Sequence, residues 1–499
     1  MSFQSYFFAL FLLAVLCFYY TVPAKLRLWV LLLANFIFFG WADLRAVVWL
    51  GICIVTTWGT GIFLEKNRGK RTAGVAFALC LTINLGLLAV FKYFPVWDRL
   101  LNAAFGQGVR VVHLDMAERF GLVTPLGISF YTLQAVGYLT DVAVGRYGAE
   151  KNLGRYAAFL SFFPTIASGP IERGGNFFAQ LDRILRQRRR ELLDYDRMMR
   201  GLISVLLGFF MKLVVAERAA LLVNYLYSVY QDGNSFTMLV GAIFYSIQIY
   251  CDFASYSLIA LGTAALMGIE LMQNFRQPYF ALGISDFWRR WHISLSSWLR
   301  DYVYIPLGGN RRGALRRYVN LLAVFFVSGL WHGGAPTFLV WGLLHGLCQI
   351  LEDLYRKMRA VIWKKKVLPL AGLRSFLGRV FTFCTVSLLW IFFRSDSLEM
   401  AKVCLTNLFT RWQGFLYVRE FLFNMGLDRN EFIIVVVSVL FLLILELISE
   451  KKNERADVWI YAARTPVRWG LCFFMMLGIF VFGMYGPGFD ASNFIYVNF

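Results

Sequence analysis

Apolar residues run with few interruptions from 3 to 21, 28 to 44, 46 to 64 and 73 to 94. A bilayer core of about 30 Å needs roughly 20 such residues in a helix, so each run predicts a membrane span. Further spans are predicted near 201–219, 237–268, 319–333, 337–355, 375–393, 431–449 and 469–486; the 237–268 run exceeds one perpendicular crossing and is expected to be tilted or split. Residues 124–146, TPLGISFYTLQAVGYLTDVAVGR, are rich in small and hydroxylic side chains, which predicts an inner helix packed closely on its neighbours. The segment from Ala158 to Leu181 is short and broken by Pro164 and by the Gly169-Pro170 pair. Irregular backbone at membrane depth needs protein or a wet cavity to satisfy it, so a re-entrant element lining a cavity is expected there.

Composition agrees with this pattern: 59% hydrophobic and 18% aromatic residues are too many for a soluble chain of 499. The net charge of +20 would suit a nucleic-acid partner if it were spread over one surface. Instead Lys and Arg gather in the short stretches Glu65–Arg71, Asp182–Arg200, Gly309–Arg317, Arg356–Arg374 and Lys451–Arg468. Threading the predicted spans puts all five on one side, which the positive-inside rule makes cytoplasmic, with both termini outside. The first run has no basic residues ahead of it and no small-residue cleavage site behind, so it is expected to be a retained helix. The mixed stretch Phe94–Val123 then falls outside, and its His113 is expected to be solvated. Eight scattered cysteines, without C-x-x-C or zinc-like spacing, predict neither disulfides nor a structural metal. No internal repeat or soluble domain is visible, so residues 1–499 are expected to form one multi-span membrane domain.

Three of the four histidines lie between residues 285 and 346. In SDFWRRWHISLSSWLRDYVYIPLGG, Ser285-Asp286 is an N-terminal capping signal, and Phe287, Trp291, Leu295 and Trp298 recur at helical spacing. One amphipathic helix in the cytoplasmic interface is predicted, arginines toward headgroups. The cations flanking His292 favour its neutral form, available as base or hydrogen-bond partner. His332 ends an apolar run of about fifteen residues and is followed by Gly333, Gly334 and Pro336. A histidine there is expected at the floor of an outward-facing depression, and an ionisable residue inside a membrane domain is a functional candidate. His345, four residues after Trp341, suits interhelical hydrogen bonding or support of His332. Asp252, in YCDFASYS, either orients a histidine or makes a structural hydrogen bond. Lys212 and Glu446 lie close enough to helix ends to snorkel. No G-x-S-x-G, H-E-x-x-H, Walker A or G-x-G-x-x-G fingerprint is present. A neutral histidine in a low-dielectric cavity can accept the proton of a hydroxyl attacking a thioester, so acyl transfer fits what remains. A transporter or flippase would also use broken helices and buried charges, though without inverted repeats that reading is weaker, and intact histidines argue against an inert scaffold.

Between Thr124 and Asp396 the motifs PLGISFYTLQ, SGPIER, GFFMKLVVAE, IQIYCDF, NFRQPY, DFWRRWHISLSSWLRDYVYIPLGGNR, GLWHG, WGLLHG and FFRSDSL follow in order. The chain thereby resembles the membrane-bound O-acyltransferase family, within it the bacterial group that acylates extracellular polymers. The resemblance implies an all-α ring of about 11–12 transmembrane helices, with re-entrant and interfacial helices around a thin core crossed by a tunnel or funnel. It implies a catalytic core at 124–396, between N-terminal helices (1–123) and C-terminal helices (397–499). His332 of GLWHG would be catalytic and His292 of WRRWH the second signature position, with Trp331, Arg289, Arg290, Asn274, His345 and Asp252 as supporting or substrate-binding candidates. The family's DFSGYSD pattern reads DFASYSL here, so Asp252 receives no catalytic role. Length and the two spans after residue 430 look more like alginate or related polysaccharide O-acetylation than teichoic-acid D-alanylation, the alternative. The expected donor is acetyl-CoA or an acyl-carrier thioester, arriving from the cytoplasmic Arg-rich side whose cations suit phosphates. The expected acceptor is an extracytoplasmic polymer or a partner protein. No permanently bound cofactor, no metal and no nucleic acid are expected, and the chain should sit among lipids of a bacterial cytoplasmic membrane.

Overall fold

The structure, a computed structural model, describes residues 1, 3–41, 43–105, 125–362, 371–412 and 425–486, and His113 lies outside these. The described residues form helices and no strands, and the protein is an all-α integral membrane protein. The described residues form two compact units, one from Met1–Val205 with Tyr256–Met272, the other from Leu206–Ser255 with 273–486. Eight helical stretches among the described residues are long and apolar enough to cross a bilayer.

The first unit holds α1 (Tyr6–Thr21), α2 (Ala24–Gly40), α3 (Leu44–Lys66), α4 (Arg71–Phe105), α5 (Ile128–Val144), α6 (Leu153–Leu160), α7 (Phe163–Ile166), α8 (Gly174–Arg186), α9 (Arg189–Leu192) and the start of α10 (Tyr195–Phe210). Ser129, Thr132 and Gln134 of α5 are buried with its apolar residues, the close packing that small and hydroxylic side chains permit. Gly127, at φ 69°, precedes α5 because a Cβ there would lie 1.8 Å from the carbonyl oxygen of Ile166. The broken segment becomes the three short helices α6, α7 and α8. Asn35 of α2 meets its loose backbone, accepting from the Phe163 N–H (3.0 Å) while donating to Ser161 Oγ (3.1 Å). Buried Glu172 ties the following loop, accepting from the Arg173 and Met272 N–H groups and from Asn176 Nδ2.

In the second unit a π-helical turn, Met211–Ala216, leads from α10 into α11 (Glu217–Ser228). Then follow α12 (Ser235–Leu266), whose residues from Tyr256 on belong to the first unit, α13 (Ile284–Arg290), α14 (Ile293–Leu299), a π-helical turn Arg300–Tyr304, α15 (Gly313–His332), α16 (Pro336–Ile362), α17 (Ala371–Arg394), α18 (Leu398–Thr410), α19 (Arg429–Lys452), α20 (Ala456–Ala462) and α21 (Thr465–Phe482). Helix α12, 32 residues long, is unbroken. The α15–α16 hairpin is drawn tight by glycine: a Cβ on Gly329 would stand 2.5 Å from Phe338 O, and one on Gly342 2.3 Å from Phe325 O. That approach sets where His332 and His345 lie relative to each other.

Two expectations about charge are corrected. Lys212 does not snorkel; its side chain is 2% exposed, and its Nζ lies 2.6 Å from Glu217 Oε1 and 2.5 Å from Asp252 Oδ1. Two carboxylates at hydrogen-bond distance offset its desolvation, which lipid or headgroups farther along the helix would not. Glu446 likewise stays put, its Oε1 accepting from the Tyr250 hydroxyl at 2.8 Å. Removing the ammonium while leaving both buried carboxylates should be strongly destabilising. Lys212→Met is expected to cost about 3–5 kcal/mol, read as a lowered thermal unfolding midpoint in detergent against wild type; an unchanged midpoint would show that the cluster contributes nothing.

Candidate active site

The WRRWH stretch is not one amphipathic helix. Helix α13 closes as the Trp291 N–H donates to Phe287 O (2.8 Å), and α14 begins where the Ser296 N–H donates to His292 O (2.9 Å). Between them the Ile293 N–H leaves the helical ladder for the carbonyl of Asn274 (2.9 Å). The expected cap is replaced too: Gly283 takes the N-cap position, and the Ser285 N–H donates to Glu352 Oε2. Phe287, Trp291, Leu295 and Trp298 are nevertheless all buried. Arg289 is largely exposed, whereas Arg290 bonds to Asp286 and to both carboxylate oxygens of Glu450.

The break places His292 in the left-handed region, φ 43° and ψ 54°, a conformation costly for any residue with a Cβ. His292 is 1% exposed, and neither ring nitrogen has a hydrogen-bond partner in the described chain. Burial, rather than the flanking arginines, pushes its pKa down to about 3, so the imidazole is neutral at physiological pH. Phe253 meets the ring edge-on at 4.7 Å and Trp331 at 5.7 Å. Phe253 adjoins Asp252, whose carboxylate is engaged by Lys212.

His332 is the last residue of α15, which starts at Gly313 and so is longer than the apolar run suggested, the basic step being helical as well. It is 3% exposed and packed edge-on against Trp331 (4.9 Å), Trp341 (5.1 Å) and Phe393 (5.1 Å). His345, one turn beyond Trp341, accepts at Nδ1 from Trp288 Nε1 (3.2 Å). That bond requires the neutral tautomer with the proton on Nε2. The Nε2 atom is buried without a partner in the described chain. The three histidines thus alternate with indole rings: Trp331 touches His292 and His332, while Trp341 touches His332 and His345.

Beside this array lies a cavity of about 220 Å³, whose walls include Trp288, Leu299, Phe325 and Ser328. The hydroxyl of Ser328 is buried and has no partner in the described chain. Phe325, Ser328 and His332 follow at spacings of three and four on α15, so the cavity wall and His332 share one helix face. Among the described residues no three His, Cys, Asp or Glu side chains converge as metal ligands. None of the three histidines is among the cavity's lining residues, which present the Ser328 hydroxyl and the Trp288 indole; the neighbouring array holds the imidazole nitrogens, groups suited to moving a proton at a substrate hydroxyl. Sequence reasoning overlooked Trp288, which donates to His345, and Phe393, which packs on His332; only the recurrence of Trp and His in WRRWH, GLWHG and WGLLHG hints at the interleaving.

This chain belongs to the membrane-bound O-acyltransferase family and is an acyltransferase: the family model matches residues 148–391. The probable alginate O-acetylase AlgI of Azotobacter vinelandii is 34% identical over 412 residues, 80% of this chain and 76% of that protein. The peptidoglycan O-acetyltransferase of Helicobacter pylori is 30% identical over 407 residues, 76% of this chain and 73% of the relative. The teichoic acid D-alanyltransferase of Bacillus subtilis is 27% identical over 356 residues, covering 68% and 83%.

Because His292 is neutral when folded but titrates near its ordinary 6.5 when unfolded, the unfolded chain takes up a proton there as pH falls, and stability is lost between about pH 6.5 and 3. The His292→Gln variant should lose less stability than wild type between pH 7 and pH 5, measured as unfolding midpoints in detergent. Parallel losses in the two proteins would rule out this imidazole as the source.

Proposed function

We propose that the chain moves an acyl group, acetyl by expectation, from a cytoplasmic thioester such as acetyl-CoA to hydroxyls of an extracytoplasmic polysaccharide, or to a partner protein that relays it. His332 is the general base. It takes the proton of the acceptor hydroxyl as that oxygen attacks the thioester carbonyl. The new C–O bond forms, the C–S bond breaks, and the imidazolium returns its proton to the departing thiolate, so nothing is left over. His292, neutral, is a hydrogen-bond partner for the donor, and the exposed guanidinium of Arg289 suits the donor's phosphates. Arg290, already held by Asp286 and Glu450, braces the turn instead. With both termini outside, the basic loops and the WRRWH turn face the cytoplasm.

The observation that carries this reading is a buried imidazole at the end of α15, in GLWHG, on the helix face that continues into a cavity. Relatives named for O-acetylation of alginate and of peptidoglycan support acetyl transfer to a polymer. The lower identity to a D-alanyltransferase makes D-alanyl transfer the second reading. Replacing a general base typically removes about 10²- to 10⁴-fold of rate. His332→Ala should therefore lose acylation on that scale while remaining monodisperse and normally folded in detergent, with surface polymers of cells carrying it lacking the acyl mass increment. Normal turnover in this variant would dismiss His332 as the base.

A further inference from the structure

His292 combines two costly features. Its backbone is left-handed, which only glycine adopts freely, and both imidazole nitrogens lack a partner in the described chain. Strain of this kind persists only where the surroundings over-determine it. The side chain makes no hydrogen bond that could hold the turn, so the restraint must act on the backbone around it.

That restraint is the loop before α13. The Asn274 carbonyl accepts from the Ile293 N–H (2.9 Å), and Asn274 Oδ1 accepts from Ser294 Oγ (2.6 Å). On the other side of His292, the Arg276 N–H donates to the carbonyl of Arg290 (3.0 Å). Asn274 and Ser294 are buried at 1% and 0% exposure, so water does not compete for these bonds. Between the two rungs, Phe275 packs edge-on against Phe253 (4.9 Å) and Trp291 (5.0 Å), and Phe253 in turn meets the His292 ring. The loop and the WRRWH turn are therefore clasped on both sides of one residue, and the ring is left with its nitrogens open.

We propose that Asn274 and Ser294 are positioning residues for His292. Together they hold the left-handed turn so that the neutral imidazole keeps one donor and one acceptor nitrogen for the acyl donor, instead of spending them inside the protein. This rests on the reading of His292 as a group that meets the acyl donor. Ser294 is the sharper probe, because its hydroxyl joins the clasp without contributing backbone to the Asn274–Ile293 bond.

The test uses the purified full-length chain in lipid vesicles with acetyl-CoA as donor and free thiol release as readout, on Ser294→Ala, Ser294→Thr, Asn274→Ala, the double variant Asn274→Ala/Ser294→Ala, and His292→Gln. One hydrogen bond lost from the positioning of a reacting partner corresponds to about a tenfold fall in turnover. Ser294→Ala is expected to lose about tenfold in kcat with the KM for acetyl-CoA unchanged, and Ser294→Thr to recover most of that loss. The double variant should be no worse than the poorer single one, because both act through the same residue. Additive losses, or a threonine variant as impaired as alanine, would mean that these residues merely stabilise the fold and would overturn the proposal. If His292→Gln is impaired while Ser294→Ala is not, the clasp alone is refuted. If His292→Gln turns over normally, the role given to His292 fails and the clasp has nothing to position.

Discussion

A polar group carried to membrane depth has no water to fall back on, so its partner must come from the protein. That demand shapes both units. In the first, one asparagine side chain on α2 meets the loose backbone where the chain breaks around Phe163. In the second, an ammonium is held between two carboxylates at the π-helical turn, and the Glu446 carboxylate is met by a tyrosine hydroxyl. The buried ammonium, which a bare helix could not carry, becomes tolerable because two carboxylates lie against it.

His292 and His345 keep buried nitrogens with no partner in the described chain. Asn35 and Lys212 are met by the protein, whereas these imidazole atoms, one set in WRRWH and one in WGLLHG, are not. Indole and phenyl rings supply the reason they can stay open. They fill the volume around the histidines and exclude water, which keeps the His292 imidazole neutral. Trp288 is the exception that orders the set, since its N–H decides which nitrogen of His345 carries the proton.

The glycines of the hairpin complete the arrangement. With Gly329 and Gly342 replaced by larger residues, α15 and α16 could not approach so closely, and the register that sets Trp341 between His332 and His345 would be lost. Backbone proximity, aromatic filling and polar satisfaction are thus three expressions of one requirement, that a site built in hydrocarbon must be made entirely by the chain around it.

The membrane class and most of the helices were legible in the sequence, because apolar run length and the grouping of Lys and Arg are set by the bilayer and hardly depend on tertiary detail. The gathering of three histidines within residues 285–346 was visible as a candidate site. What the linear pattern could not contain was the break inside WRRWH: its apolar spacing suits a continuous helix, and only the carbonyl of Asn274, arriving from another segment, draws the Ile293 N–H out of the helical ladder. The same holds for Lys212, whose place near a helix end suggested snorkelling until Asp252, forty residues on, was brought beside it. The solvent dictates local pattern along the chain, whereas hydrogen bonds between distant segments exist only once the chain has folded, and those bonds decided the shape of the site.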